Sequence, residues 1–414
     1  MKKLIGNAIV GQSGGPTAAI NATLAGVIRG ALDVEATGGC IEKLYGMRNG
    51  IEGFLAEDIV CLNDIFDCED KIKLLEHTPA AALGSCRKKL PAIDKDRELY
   101  VKLFDIFKKY NIRYFFYIGG NDSMDTVAKL SSFMEYADYE MRIIGVPKTI
   151  DNDLLLTDHT PGYGTAAKFI ATTVQEIIRD CSVYRIPAVT IVEIMGRNAG
   201  WLAAAADVGK FAGGESPDGV YFPERDFDME KFFVDVDRAL KSHPNVVTAV
   251  SEGIKFADGR YVGEGQQSGA VDVFGHKYLS GAGKVLENAV KERFGCKVRS
   301  IELSLPQRCA AHLASATDIC ESVELGRSSV KAACLEGVSG EMMLYRRLSD
   351  APYVCDIVHS DVSAIANEVK WLNDEYINEN ENGITAECAA YILPLIAGET
   401  YPEYENGIPK FFIL

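Results

Sequence analysis

The run Gly145-Val146-Pro147-Lys148-Thr149-Ile150-Asp151-Asn152-Asp153 sets two carboxylates two positions apart, beside a lysine and a threonine. Side chains alternate in an extended segment, so Thr149, Asp151 and Asp153 share one side. An aspartate placed there can accept the proton of an attacking hydroxyl, and Lys148 can hold a phosphoryl group in transfer. A second run, Ile118-Gly119-Gly120-Asn121-Asp122-Ser123, joins two glycines to two oxygen-bearing side chains. The glycines let the backbone approach phosphate. Asn121 and Asp122 offer oxygens to Mg²⁺, which takes few protein ligands and completes its shell with water and phosphate. Blander readings compete with both. The first run also suits an Asx-rich turn with a solvated lysine, and in the second Asp122 or Ser123 also suits a helix cap. A third run, Gln12-Ser13-Gly14-Gly15-Pro16, has the order strand, double glycine, helix start. Free amides and the helix dipole make such a turn an anion cradle.

Basic residues recur in the loops. Arg87 lies in Gly84-Ser85-Cys86-Arg87-Lys88, and Arg197 follows Met195-Gly196 just after an apolar segment. Arg299 and Arg308 flank the segment around Ile301. Arginine at a strand end is a good bidentate phosphate ligand, although a lone surface arginine is commonly just solvated. Glu252, after a strand ending at Val250, can bind a sugar hydroxyl. None of the six histidines falls in these loops, so a histidine base is not favoured. His159 is expected to be structural. The combination points to phosphoryl transfer.

The elements that must hold these loops alternate. Strands are expected at 8–11, 114–118, 142–146, 188–194, 246–250 and 298–303. Helices are expected from Thr17, and at 98–110, 123–133, 164–180, 199–206, 281–293 and 317–335. Residues 207–225 read as a loop before an acidic surface helix, and the tail from Asn373 as less regular. This rhythm argues for an α/β fold with mainly parallel sheets flanked by helices. Catalytic groups in such folds sit at the carboxyl ends of strands. Two such sheets facing one another are expected, with a crossover in the polar segment 149–158.

With 414 residues the chain can form two or three domains with real cores. A net charge of −16, with no basic run, argues against a nucleic-acid partner. Apolar runs are too short for a membrane span. The stretch after Met1-Lys2-Lys3 is too short for a secretion signal and reads as the first strand. Eleven cysteines at irregular spacing, with no C-x-x-C pair, suggest reduced thiols and a cytoplasmic location.

Taken in order, Gly-Gly-Asn-Asp-Ser, Pro-Lys-Thr-Ile-Asp-Asn-Asp and Met-Gly-Arg resemble the phosphofructokinase family, from Gly11 to about Leu335. The double glycine alone also suits lipid or NAD kinases; the other loops do not. The resemblance implies two Rossmann-like domains with the active site in the cleft between them. Residues 1–148, completed by part of 315–370, would bind diphosphate and Mg²⁺. Residues 149–314 would bind the sugar phosphate, and 371–414 would be a C-terminal extension. Asp151 would be the base for the 1-hydroxyl of fructose 6-phosphate, with Thr149 and Asp153 beside it. Met195, Gly196, Arg197 and Glu252 would hold the sugar, and Arg308 its 6-phosphate. Arg299 would serve the site of a neighbouring subunit, which implies a homodimer or homotetramer. Gly14, Gly15, Gly120 and Arg87 would contact the donor phosphates, with Asn121 at the family's metal-ligand position.

The donor follows from charge. Family members that use ATP carry glycine where Asp122 and Lys148 stand. A carboxylate at Asp122 repels an α-phosphate, and Lys148 supplies positive charge to a shorter donor. The pair resembles the diphosphate-dependent subfamily, whose reaction is readily reversible. An ATP-dependent kinase and a non-catalytic sugar-phosphate-binding subunit are the alternatives. Three departures stand out: Asn121 lacks the usual charge, Ala188 replaces a common arginine, and Leu305 replaces a histidine or tyrosine against the sugar.

Overall fold

The computed structural model describes residues 4–36, 39–264 and 281–414; the expectation about Met1–Lys3 lies outside them. Strands β1 (Gly6–Gln12), β2 (Ile41–Met47), β3 (Ile59–Cys61), β4 (Ile112–Gly119) and β5 (Arg142–Pro147) come first. Then follow β6 (Ala188–Ile194), β7 (Gly219–Tyr221), β8 (Asn245–Ser251) and β9 (Lys297–Glu302). Near the end come β10 (Glu341–Asp350) and β11 (Tyr353–Asp361). They build a seven-stranded sheet in the order β11-β10-β5-β4-β1-β2-β3 and a four-stranded sheet in the order β7-β8-β6-β9. The second sheet is parallel throughout. The first is parallel except at its margins, where β2–β3 and β10–β11 are antiparallel. The fold is therefore the expected α/β arrangement of mainly parallel sheets flanked by helices.

The central strands read as apolar runs because helices cover both faces. Ile9 and Val10 of β1, Phe115 and Phe116 of β4, and Ile143 and Ile144 of β5 are all fully buried. Register sets the strand ends level: Gln12 pairs with Ile118, and Gly119 with Pro147. In the second sheet Ile194 is level with Ser251, and Glu193 with Glu302. Each sheet thus delivers three neighbouring loops to one edge.

The chain returns to its first sheet late. Helix Ala316–Lys331 packs on helix Ile20–Ala36, and small residues set the closeness. A methyl at Gly26 would strike the Val323 carbonyl, and one at Gly326 the Thr23 carbonyl. β10 then adds beside β5 in parallel.

Several boundaries differ from the sequence expectation. The first helix begins at Ile20, three residues after Thr17, because the double-glycine turn runs longer. Residues 207–225 are not all loop: they hold a short 3₁₀ turn and the buried edge strand β7. The α-helix expected to reach Leu335 ends at Lys331 and widens into a π turn at Ala332–Glu336. The tail contains the helix Ala386–Ile392. None of the described helices is long and apolar enough to cross a membrane.

Candidate active site

The two sets of strand ends face one another across a cavity of about 480 Å³. From the first sheet come the loops after β1, β4 and β5; from the second come those after β6, β8 and β9. Gly14, Gly15, Arg87, Gly120, Asn121, Asp122, Lys148, Thr149, Asp151, Met195, Arg197, Glu252 and Arg308 all line this one space. They come from loops scattered over more than half the chain. Gly196 lies immediately behind, held by its N–H to Glu252 Oε1 at 3.4 Å and its carbonyl to Ser251 Oγ at 2.6 Å. Its φ of 130° is open to glycine and strained for other residues.

On the donor side, Gly14 adopts φ 78°, and the turn closes over Lys148. The Lys148 ammonium donates to the Gly15 carbonyl at 2.6 Å. The Lys148 amide donates to the Gly119 carbonyl at 3.0 Å, which joins the ends of β4 and β5. Burial pulls Lys148 down to about 8; Asp151 opposes this, and Arg308 and Arg87 add to it. Three cations therefore converge on one wall of the cavity, an arrangement that suits an anion. Arg308 rests across Gly15, on the donor side of the cavity.

Asp122 stands in the first turn of helix Asn121–Met134, part-exposed, with one oxygen 3.2 Å from Lys89 Nζ. Asn121, also expected at the metal, has both ends of its amide engaged. Its Nδ2 donates to the Glu368 carbonyl and its Oδ1 accepts from the Asn367 N–H. Asp122 is thus the carboxylate that suits a hard divalent cation beside the donor, with water and phosphate filling the other positions.

On the acceptor side, Asp151 N–H donates to Thr149 Oγ1 at 3.1 Å, and that hydroxyl reaches Asp151 Oδ2 at 3.5 Å. Burial pushes the Asp151 carboxyl above its ordinary value, against the pull of Lys148 and Arg197. Burial, reinforced by the charge of Asp151, raises Asp153 to about 7. Burial and the same Asp151 charge raise Glu252 to about 8. A cluster of carboxyls perturbed in this way, in one cleft, is the signature of acid–base chemistry. Arg197 lines the same wall, and its buried Nε has no hydrogen-bond partner among the described residues. An unpaired buried donor on a cavity wall is available to an acceptor on a bound molecule or a water.

Two expected residues lie elsewhere. Arg299 is exposed on β9, an edge strand, and Leu305 is 54% exposed just before the short helix Pro306–Cys309 that follows. Neither lines the cavity within this chain. His159 is structural as expected: fully enclosed, it joins Asp158 at 2.8 Å to Glu321 at 2.7 Å and stacks on Tyr345. Sequence reasoning missed Asn367 and Val369, which line the cavity, and Lys370 behind them. No motif marks that stretch.

Comparison with known proteins agrees with this geometry. The family model described as Phosphofructokinase matches residues 7–333. A pyrophosphate–fructose 6-phosphate 1-phosphotransferase of Halomonas elongata is 40% identical over 98% of this chain and 95% of its own length. One of the same name from Methylococcus capsulatus is 40% identical over 99% of this chain and 96% of its own. The crystal structure of a pyrophosphate-dependent phosphofructokinase from Nitrosospira multiformis superposes with a TM-score of 0.87, at 37% identity. That match covers 98% of this chain and 95% of the crystal chain. With strand-end loops, cavity and these likenesses in agreement, the chain belongs to the phosphofructokinase family.

Proposed function

We propose that the protein transfers a phosphoryl group reversibly from diphosphate to the 1-hydroxyl of D-fructose 6-phosphate. The products are fructose 1,6-bisphosphate and phosphate. The relatives named for this reaction span nearly the whole chain. The observation that carries the reading is the end of β5, which brings Lys148 and Asp151 into one cavity with Asp122, Arg197 and Glu252.

Shared placement in the cavity supports the following roles. The acceptor oxygen attacks phosphorus, the bond to the leaving phosphate breaks, and Asp151 takes the hydroxyl proton. Thr149 orients that carboxylate. Lys148, Arg87 and the Gly14-Gly15 amides neutralise the diphosphate, the positioning and charge stabilisation on which phosphoryl transfer depends. Glu252 and the Met195-Gly196-Arg197 loop grip the sugar, and Arg308 serves the phosphate that reaches it. Enzymes of this family use a divalent metal. Mg²⁺ held by Asp122, water and diphosphate oxygens would add positive charge to the transferred group.

Diphosphate is favoured over ATP by Asp122, whose carboxylate stands at the donor loop where a longer nucleotide would bring further phosphate. We propose a homodimer or homotetramer, supported by Arg299 and Leu305, which the family resemblance assigns to a sugar site but which lie exposed outside this chain's cavity. A cytoplasmic location is proposed from the cysteine usage. Steady-state assay with Mg²⁺ and fructose 6-phosphate, comparing diphosphate with ATP, tests the reaction and the donor together. Turnover with diphosphate far above that with ATP is expected; equal or better turnover with ATP overturns the donor assignment.

A further inference from the structure

The segment 367–372 crosses the cleft as a strap. At one end the Asn367 N–H and the Glu368 carbonyl hold both ends of the Asn121 amide. The Asn367 Nδ2 reaches Asp125 at 3.3 Å. At the other end the Lys370 N–H donates to the Asp153 carbonyl at 2.9 Å. The Lys370 carbonyl accepts from Trp201 Nε1 at 3.0 Å, and the Leu372 N–H meets Glu224 at 3.0 Å. One short stretch therefore fastens the donor loop after β4, the turn after β5 and the helix following β6.

The Lys370 side chain passes behind that turn. Its ammonium donates to the Asp158 carbonyl at 2.6 Å, the Thr157 carbonyl at 3.1 Å and Asn152 Oδ1 at 3.4 Å. The ring of Trp201 covers it at 4.9 Å. Asn152 is fully buried with φ 55°. Asparagine tolerates that left-handed conformation better than most side-chain-bearing residues, and its amide contacts fix it here. Its amide has two anchors: Oδ1 on Lys370, and Nδ2 on the Tyr391 hydroxyl at 2.8 Å. Asn152 sits between Asp151 and Asp153, so its conformation sets where both carboxylates point. The charged groups around Lys370 are Asp153 and Asp158, which favour its charge, and Arg347, which opposes it.

We propose that Lys370 is a positioning residue for the transfer: from the strap it holds the Asp151-Asn152-Asp153 turn in the geometry that aims Asp151 at the acceptor hydroxyl. The proposal rests on the reading of Asp151 as the base. Misplacing a reacting group by about 1 Å can cost on the order of a hundredfold in rate without loss of binding.

Three full-length variants test it, with diphosphate and fructose 6-phosphate as substrates. Lys370→Gln keeps donors but no charge, Lys370→Met keeps neither, and Lys370→Arg keeps both. Gln and Met should lower kcat by about tenfold to a hundredfold while both KM values stay within about threefold. The acid limb of their kcat–pH profile should shift, because Asp153, which is coupled to Asp151, loses a cation that opposes its protonation. Arg should keep the limb where it is. The proposal is overturned if the Gln and Met profiles overlay that of the unaltered protein, or if Arg shifts the limb as far as they do. It is also overturned if Gln and Met fail to fold while Arg is normal, since Lys370 is then a structural support alone. Asp151→Asn is the control. If it keeps its turnover, the base assignment falls and this proposal with it; if it is inactive and the Lys370 variants are normal, only this proposal falls.

Discussion

At the scale of single residues, the site is a collection of charges moved from their ordinary values by one cause, removal from water. Lys148 is pulled down while Asp153 and Glu252 are pushed up, each by burial first. The cavity thus holds groups whose charge is sensitive to an added anion or cation. Linkage gives this a sign. A carboxyl raised by folding holds its proton in the folded state at a pH where the unfolded chain has released it. Stability from that group is complete below the ordinary value and is lost as pH rises through the folded value. For Glu252 the window runs from about 4.5 to about 8. In the ligand-free protein, thermal stability should fall across that window, and Glu252→Gln should lessen the fall. Melting curves from pH 5 to 8 for both proteins check it; curves that fall in parallel contradict the assignment.

At the scale of elements, loops are held by side chains from distant parts of the chain. Helix Tyr163–Cys181 starts at Gly162 with no capping side chain of its own. Asp318, from helix Ala316–Lys331, supplies the cap: its two oxygens accept from Gly162 N–H at 2.8 Å and Thr165 N–H at 2.9 Å. Ser315 caps its own helix through the Asp318 N–H at 3.4 Å. Asp318→Ala leaves two buried donors unpaired, at about 1–3 kcal/mol each. Urea unfolding should show a loss of that order, and kcat should fall too, because Gly162 adjoins Pro161, whose carbonyl accepts from Thr149 N–H. An unchanged urea midpoint would deny the cap its role. Asn121 shows the same logic. Its amide, which both donates and accepts, fits the Glu368 carbonyl and the Asn367 N–H, where a carboxylate would face a carbonyl with no proton to offer.

At the scale of the whole molecule, two sheets oppose their carboxyl edges. Asp122 and Lys148 follow adjacent strand ends, so under the proposed function donor choice would rest on one corner. Replacing both, Asp122→Gly with Lys148→Gly, should lower kcat/KM for diphosphate. Removing a buried charge partner costs roughly 2–5 kcal/mol. Activity with ATP should rise relative to diphosphate. Steady-state kinetics with both donors checks this, and unaltered diphosphate kinetics would remove the selectivity argument. A site completed by a second copy would make activity depend on protein concentration; light scattering and dilution assays read that.

Much of this protein was decided locally. Lys148, Thr149, Asp151 and Asp153 are neighbours in the chain, as are Gly119 through Ser123, so their chemistry is legible wherever the segment lies. Buried parallel strands carry unbroken apolar runs, so β1, β4, β5, β6 and β8 are legible too. β7 was not, because a three-residue edge strand after Gly and Pro looks like a loop. The hairpin of β10 and β11 alternates exposed and buried positions only partway, and its Ala351-Pro352 turn lacks the Asn-Gly or Asp-Gly pair that marks a tight hairpin. Only the tertiary structure decided what lies behind the motifs. Asn121 meets residues 246 and 247 positions away, and Lys370 meets Asn152 across 218. Nothing local marks such partners, since a lysine or an asparagine in a polar stretch is ordinarily solvated. It takes the folded chain, with water driven from the back of the β5 turn, to turn that lysine into a support for the two carboxylates.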